Sequence, residues 1–166
     1  MSVPVIPYEE RPYRPCVGIF LINGGGDVFA GRRIDSRAEA WQMPQGGIDL
    51  GETPIEACLR EMEEEIGTNK AEFLHEIDEW LNYDIPVTLA DRLWHGQYKG
   101  QKQKWMLLQF TGNDSDINIE TNEPEFCEWK WLSPASLIDL AVPFKRKVYQ
   151  HVLDGFSPYI EKRMSR

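Results

Sequence analysis

Hydrophobic and polar positions along the chain follow two periods, and the switch between them marks out the elements. Val17 to Ile22 is a short continuous apolar run, as in a buried strand. Asn23-Gly24-Gly25-Gly26-Asp27 is a hairpin-type turn, and Val28-Phe29-Ala30 starts the return strand. Then the period lengthens. Ile55, Leu59, Met62 and Ile66 recur at helical spacing and fall within a narrow arc. Thr53 suits the N-cap, Pro54 the first helical position, and Glu56 completes a capping box. Gly67 suits the position just past the helix end. Phe73 to Tyr83 reads as extended, alternating around His75 to Trp80, and Pro86 to Trp94 has weak helical character. A polar, basic loop from Gly96 to Lys104 feeds an apolar strand, Trp105 to Phe110. Asn113 to Asp116 is a turn, and Cys127 to Leu132 is a strand with Trp129 and Trp131 on one face. Ser133 caps a helix to about Leu140, and Pro143 opens a last helix to about Leu153. Strands, a helix, more strands and then helices predict an α/β protein with a mixed sheet packed by helices. Residues 1–12 read as an irregular, proline-rich arm, 13–158 as a single domain and 159–166 as a tail.

The predicted helix carries chemistry on its other side. Glu61, Glu64 and Glu65 form a second arc about 130° around from the apolar one. Like charges this close cost roughly 0.2–0.5 kcal/mol per pair. A hard divalent cation reverses that sign, and Mg²⁺ favours oxygen ligands completed by substrate phosphates. Taken alone, most glutamate runs are simply solvated faces. Here the glycine pair Gly46-Gly47 lets the backbone run close to a ligand or metal just ahead of the helix.

The totals narrow the classes. The 166 residues fit one domain, and no apolar run approaches the roughly 18 residues of a membrane span. No signal-peptide core is visible at the N-terminus, so a cytoplasmic, membrane-free protein is expected. Cys16, Cys58 and Cys127 lack metal-site spacing and read as reduced thiols. A net charge of −9 argues against a general nucleic-acid binder, and no DNA partner is expected. It leaves room for an enzyme that grips phosphates through metals and a few cations.

Written out, the central stretch is Gly46, then Glu52, then Arg60-Glu61-Met62-Glu63-Glu64-Glu65-Ile66-Gly67. With these spacings positions 46–68 resemble the Nudix box, the signature of hydrolases acting on a nucleoside diphosphate linked to another group. The departure is Thr68, where the family carries a bulky aliphatic residue packed behind the helix. The resemblance implies a Nudix α/β/α sandwich with a mixed β-sheet and a loop-helix-loop catalytic motif. It implies metal ligation by Glu61, Glu64, Glu65 and Gly46, with Mg²⁺ replaceable by Mn²⁺, and a loop held on the helix by Glu52 and Arg60.

Outside the box, Tyr13-Arg14-Pro15, Trp41 to Ile48, Gly100 to Trp105, Pro124-Glu125-Phe126 and Phe144-Lys145-Arg146 resemble one branch. It holds the bacterial RNA pyrophosphohydrolases and the plant-type asymmetrical diadenosine tetraphosphate hydrolases. By position, Glu125 resembles a distal metal ligand and Phe144 an aromatic stacked on a nucleobase. Arg14, Arg33, Lys102, Lys104 and Lys145 resemble residues near the phosphate chain or base. Read without the family, Glu125 is a turn carboxylate and Phe144 a core residue at a helix start. Arg32 and Arg33 point to opposite faces, so at most one reaches a given cleft.

The expected activity is hydrolysis of the 5′-triphosphate end of RNA to a 5′-monophosphate, promoting RNA decay. The alternative is cleavage of the dinucleoside polyphosphate diadenosine tetraphosphate to ATP and AMP, in the same enzyme or instead. Trp80 to Asp84 and Ala40 to Met43 lean toward that side. A silent nucleotide sensor is the rival from another class, and the full set of carboxylates counts against it.

Overall fold

The computed structural model describes residues 6–35 and 40–164. Positions 1–5 of the expected arm and 165–166 of the expected tail lie outside the described residues. Strand β1 (Tyr13–Ile22) runs through the middle of one eight-stranded sheet with β2 (Val28–Arg33), β3 (Trp41–Gln42) and β4 (Gln45–Gly47). Helix α1 (Pro54–Ile66) follows, then β5 (Ala71–Glu76), β6 (Leu81–Asp84), α2 (Val87–Arg92), β7 (Gly100–Phe110), β8 (Phe126–Leu132), α3 (Pro134–Leu140) and α4 (Pro143–Met164). β1 and β7 pair in parallel from Tyr13 opposite Gly100 to Ile22 opposite Gln109, while the other ladders are antiparallel. The order is β3-β2-β1-β7-β5, with β4 on the first half of β1, β6 on the first half of β7 and β8 on β2.

Alternation along β1 divides the apolar interior into two layers. Val17, Ile19 and Leu21 face α1 and pack with Ala57, Cys58, Met62 and Ile66. Phe20 and Ile22 face the other way, onto Trp105, Tyr149, Val152 and Phe156. Helices on both faces of the mixed sheet that the pattern predicts make the α/β/α sandwich that the resemblance implies.

Three elements differ from expectation. β1 begins at Tyr13, four residues before its apolar run. The basic segment expected as a loop is strand from Gly100 onward, forming the first half of β7. Its buried polar groups satisfy one another: Gln103 donates to Gln45 and Gln101, and accepts from the Trp105 indole. The last helix runs past Leu153 to Met164, so most of the expected tail is helical. Gly155 and Pro158 are poor helix residues, but Val152, Phe156 and Ile160 recur every fourth position and are all buried. Each such side chain contributes about 1.5–3 kcal/mol on burial, enough to outweigh both. The arm is also tied down: the Tyr8 hydroxyl donates to the Ile85 carbonyl at 2.7 Å, and Arg11 pairs with Asp91 at 2.7 Å.

Candidate functional site

The carboxylate helix starts and stops on local chemistry. Thr53 Oγ1 accepts from the Glu56 N–H at 3.3 Å, and the Glu56 carboxylate accepts from the Thr53 N–H at 3.2 Å. Gly67 ends the helix at φ 74°, a left-handed conformation open to glycine. The preceding loop is locked by one side chain. Arg60 donates from Nε and Nη2 to the two oxygens of Glu52 at 2.7 and 2.9 Å, and from Nη2 to the Gly47 carbonyl at 2.8 Å. Glu52 also accepts from the Asp49 N–H, and Arg60 with this bond holds its carboxyl down at about 2. A Cβ on Gly46 would overlap the Glu61 carboxylate, so the loop approaches the helix as closely as the sequence allows.

Glu61, Glu64, Glu65 and Glu125 line one cleft of about 500 Å³, with Glu63, Thr121, Asn122 and Glu123. The four arrive from two parts of the chain: three on α1, the fourth just ahead of β8. Their environments differ. Glu64 is exposed, while Glu65 is 7% exposed. The reading of all three helix carboxylates as one outward face is therefore corrected for Glu65, which the strands beside α1 cover. Glu65 accepts a backbone bond from Gln45, yet its Oε2 is buried without a partner. Burial, with Glu61 and Glu125 nearby, pushes its carboxyl well above the usual range. Burial also raises Glu61, opposed by Arg60.

Among the described residues no three His, Cys, Asp or Glu side chains form a finished metal cage. Arg60 Nη1 instead occupies Glu61 at 2.9 Å and Glu64 at 3.1 Å. The donor set nevertheless fits a hard divalent cation. It is all oxygen, mutually repulsive, and includes an unpartnered buried carboxylate oxygen that a cation would satisfy.

The cationic candidates separate into groups. Arg32 pairs with Glu128, and Arg33 turns to the cleft, pairing with Asp35 at 2.7 Å and Glu125 at 3.4 Å. Lys145, expected as an accessible phosphate contact, is 6% exposed and donates to Gln42 Oε1 at 2.9 Å. Burial lowers its ammonium to about 7, with Arg33 adding to the effect and Glu65 and Asp35 opposing it. Phe144 is half-buried, its ring 5.8 Å from that of Tyr83. Arg14 lies over Gly47, where a Cβ would strike its guanidinium, and 5.1 Å from the Trp94 ring. Lys102 and Lys104 are not brought to this group. Alternation along β7 sets them on the sheet face opposite Gln101 and Gln103, beside Trp80.

Sequence reasoning missed the residues that hold these groups in place: Asp35 on Arg33, Gln42 on Lys145, and Gln45 beside Glu65. Neutral glutamines give no signal before the strands are paired. The one available signal was the run Trp41 to Gly47, which places Gln42 and Gln45 directly ahead of the glycine pair.

Comparison with known proteins places this arrangement. The NUDIX domain model matches residues 12–152. The RNA pyrophosphohydrolase of Roseobacter denitrificans is 54% identical over 151 residues, covering 90% of this chain and 94% of that protein. The RNA pyrophosphohydrolase of Rickettsia typhi is 50% identical over 154 residues, covering 93% and 96%. Among solved structures, the E. coli dihydroneopterin triphosphate pyrophosphohydrolase superposes with a TM-score of 0.64 at 18% identity, covering 85% of this chain and 97% of that one. The fold, the glycine loop clasped by Arg60 and the domain match across residues 12–152 agree: the chain belongs to the NUDIX family.

Proposed function

We propose that this protein is an RNA pyrophosphohydrolase, converting the 5′-triphosphate end of RNA to a 5′-monophosphate. The observation that carries the reading is the identity of about half of all positions with relatives of that name, across nine-tenths of both chains. The carboxylate cleft supplies the chemistry such a reaction needs. Glu61, Glu64, Glu65 and Glu125, with the Gly46 carbonyl, would hold divalent cations, Mg²⁺ first and Mn²⁺ as a substitute. A bound divalent cation neutralises charge on phosphate oxygens and lowers the pKa of a water.

The chain's own residues do the rest. Arg60 and Glu52 fix the loop, so that the Gly46 backbone stays against Glu61. One carboxylate of the cluster accepts the proton of the attacking water. The water oxygen bonds to phosphorus as a phosphoanhydride P–O bond breaks, releasing pyrophosphate in one cleavage or two phosphates in two successive ones. Arg33 and Arg14 flank the cleft where polyphosphate oxygens would lie. Phe144, packed on the buried Tyr83, offers an aromatic face for the first base, with Lys145 behind it. A cytoplasmic setting agrees with three free thiols and with the absence, among the described residues, of any helix able to cross a membrane.

A second reading, hydrolysis of diadenosine tetraphosphate to ATP and AMP, is favoured by the run Trp80-Leu81-Asn82-Tyr83-Asp84, which resembles the plant-type hydrolases. The deciding experiment compares turnover on a 5′-triphosphate RNA and on diadenosine tetraphosphate under identical conditions, with and without Mg²⁺. Faster, Mg²⁺-dependent release from the RNA supports the first reading. The reverse order installs the second, and no release from either leaves a nucleotide-binding module.

A further inference from the structure

Where α1 stops covering the sheet, the face it packs on continues into the open. The side chains there come from the first residues of β1 and β7 and from the approach to β6. Tyr13 and Lys102 point to this side, and Lys99, just before β7, folds over it. The Lys99 ammonium lies 4.9 Å from the Tyr13 ring. The Lys102 and Lys104 ammoniums lie 5.3 and 5.7 Å from the ring of Trp80. Trp80 is 41% exposed, a large indole left open in a chain of net charge −9.

Carboxylates share this patch, with Asp78 and Glu79 exposed just ahead of Trp80, yet two of its lysines are left unengaged by them. Lys104 is paired with Glu76, and the Tyr13 hydroxyl engages Asp84. Lys99 and Lys102 have no carboxylate partner among the described residues. Across the strand, the neighbour of Tyr13 is Arg14, which points to the cleft side. A chain leaving the cleft past Arg14 therefore meets Tyr13 and Lys99 by crossing one strand end, with Lys102 and Trp80 beyond.

Unpaired cations beside one exposed indole, without a groove of defined shape, match a single-stranded polyanion whose repeating unit is a phosphate and a flat base. A folded protein partner would leave Lys99 and Lys102 needing carboxylates of fixed position. We propose that this face is a track for the RNA that follows the 5′ end, with Trp80 stacking on a base and Lys99 and Lys102 meeting backbone phosphates. The proposal rests on the RNA reading above and adds a binding surface away from the carboxylates.

The test uses the full-length protein and 5′-triphosphate RNAs of two and twelve nucleotides, with diadenosine tetraphosphate as a third substrate. Binding of a 5′-monophosphate twelve-mer, read by fluorescence anisotropy in EDTA, adds a measurement independent of turnover. Trp80→Ala should raise KM and Kd for the twelve-mers about 5- to 150-fold. Lys99→Ala should weaken the same binding and reduce its salt dependence. Both variants should leave kcat and KM on the dinucleotide and on diadenosine tetraphosphate unchanged. Melting curves establish that each variant is folded, and Trp80→Phe should retain most of the binding. Equal effects on short and long RNAs, or no effect on the twelve-mer from either variant, would overturn the track. Failure of the unaltered protein to process any RNA 5′ end would overturn the RNA reading itself.

Discussion

The buried Lys145 ammonium rests on a neutral amide, Gln42 Oε1 at 2.9 Å, rather than on a carboxylate. The bond joins the start of α4 to β3 and sits behind Phe144. An ammonium with so little compensation favours its neutral form, and its pKa is lowered from 10.5 to about 7.

That depression has a sign. Between about pH 7 and 10.5 the unfolded chain holds a proton on Lys145 that the folded chain does not. Stability contributed by this group therefore rises with pH across that window. Below it both states are protonated, and the burial penalty is constant. Lys145→Met should melt higher than the parent near neutral pH, and the gap should close as pH rises toward 10. Melting temperatures of the two proteins across this range, in EDTA, check it. A gap independent of pH would show that burial does not depress the ammonium.

Glu64 and Glu65 should respond differently to loss of charge. Each change to Gln should cost orders of magnitude in Mg²⁺-dependent turnover, since metal-assisted catalysis supplies several kcal/mol. Only Glu65→Gln should raise the melting temperature of the metal-free protein, because only Glu65 is a buried carboxylate with an unpartnered oxygen. An expected gain of about 1–3 kcal/mol near neutral pH follows from removing a carboxyl that burial forces toward its protonated form, while keeping its shape. Steady-state kinetics with Mg²⁺ and calorimetry without it separate the two effects. Near-normal turnover in either variant would remove that residue from the metal site.

Much of this site was legible because its determinants are local. The capping box, the stop at Gly67 and the spacing of Glu61, Glu64 and Glu65 are all written within one helix. Burial of Glu65 was not legible, because it depends on Gln45 of a strand that docks only in the folded sheet. The first half of β7 was illegible for a related reason. Gln101 and Gln103 look solvent-bound until Gln45, from a distant strand, is brought to Gln103. The length of α4 was hidden by Gly155 and Pro158, whose local cost is outweighed by packing of Phe156 and Ile160.

Glu125 and Glu123 border the same cleft but differ in partners. Glu125 lies 3.4 Å from Arg33, whereas Glu123 is exposed. Glu125→Gln should raise the Mg²⁺ concentration needed for half-maximal activity about tenfold or more. Glu123→Gln should shift it less than about twofold, as for a surface charge. Titration of activity with Mg²⁺ for both variants is sufficient, and equal shifts would return Glu125 to a turn residue.

Phe144 has two calculable fates. As a stacking platform, its loss to Ala should weaken nucleotide binding about 5- to 150-fold with little change in melting temperature. As packing against Tyr83, the same change should cost about 3–5 kcal/mol of stability. Its half-buried position predicts a mixed result weighted to binding, with a stability loss under about 2 kcal/mol. Affinity and melting temperature measured on the same preparation decide the weighting.

The parallel pairing of β1 with β7 also dictates an order of assembly. β1 leaves the ribosome early, but its central partner is made only after α1, β5, β6 and α2. A nascent chain stopped before Gly100 contains the whole glycine loop and carboxylate helix, yet lacks the strand that completes their floor. Such distant pairing slows folding, because the loop must close before the contact stabilises anything. The carboxylate helix is thus synthesised well before the strand on which its site depends.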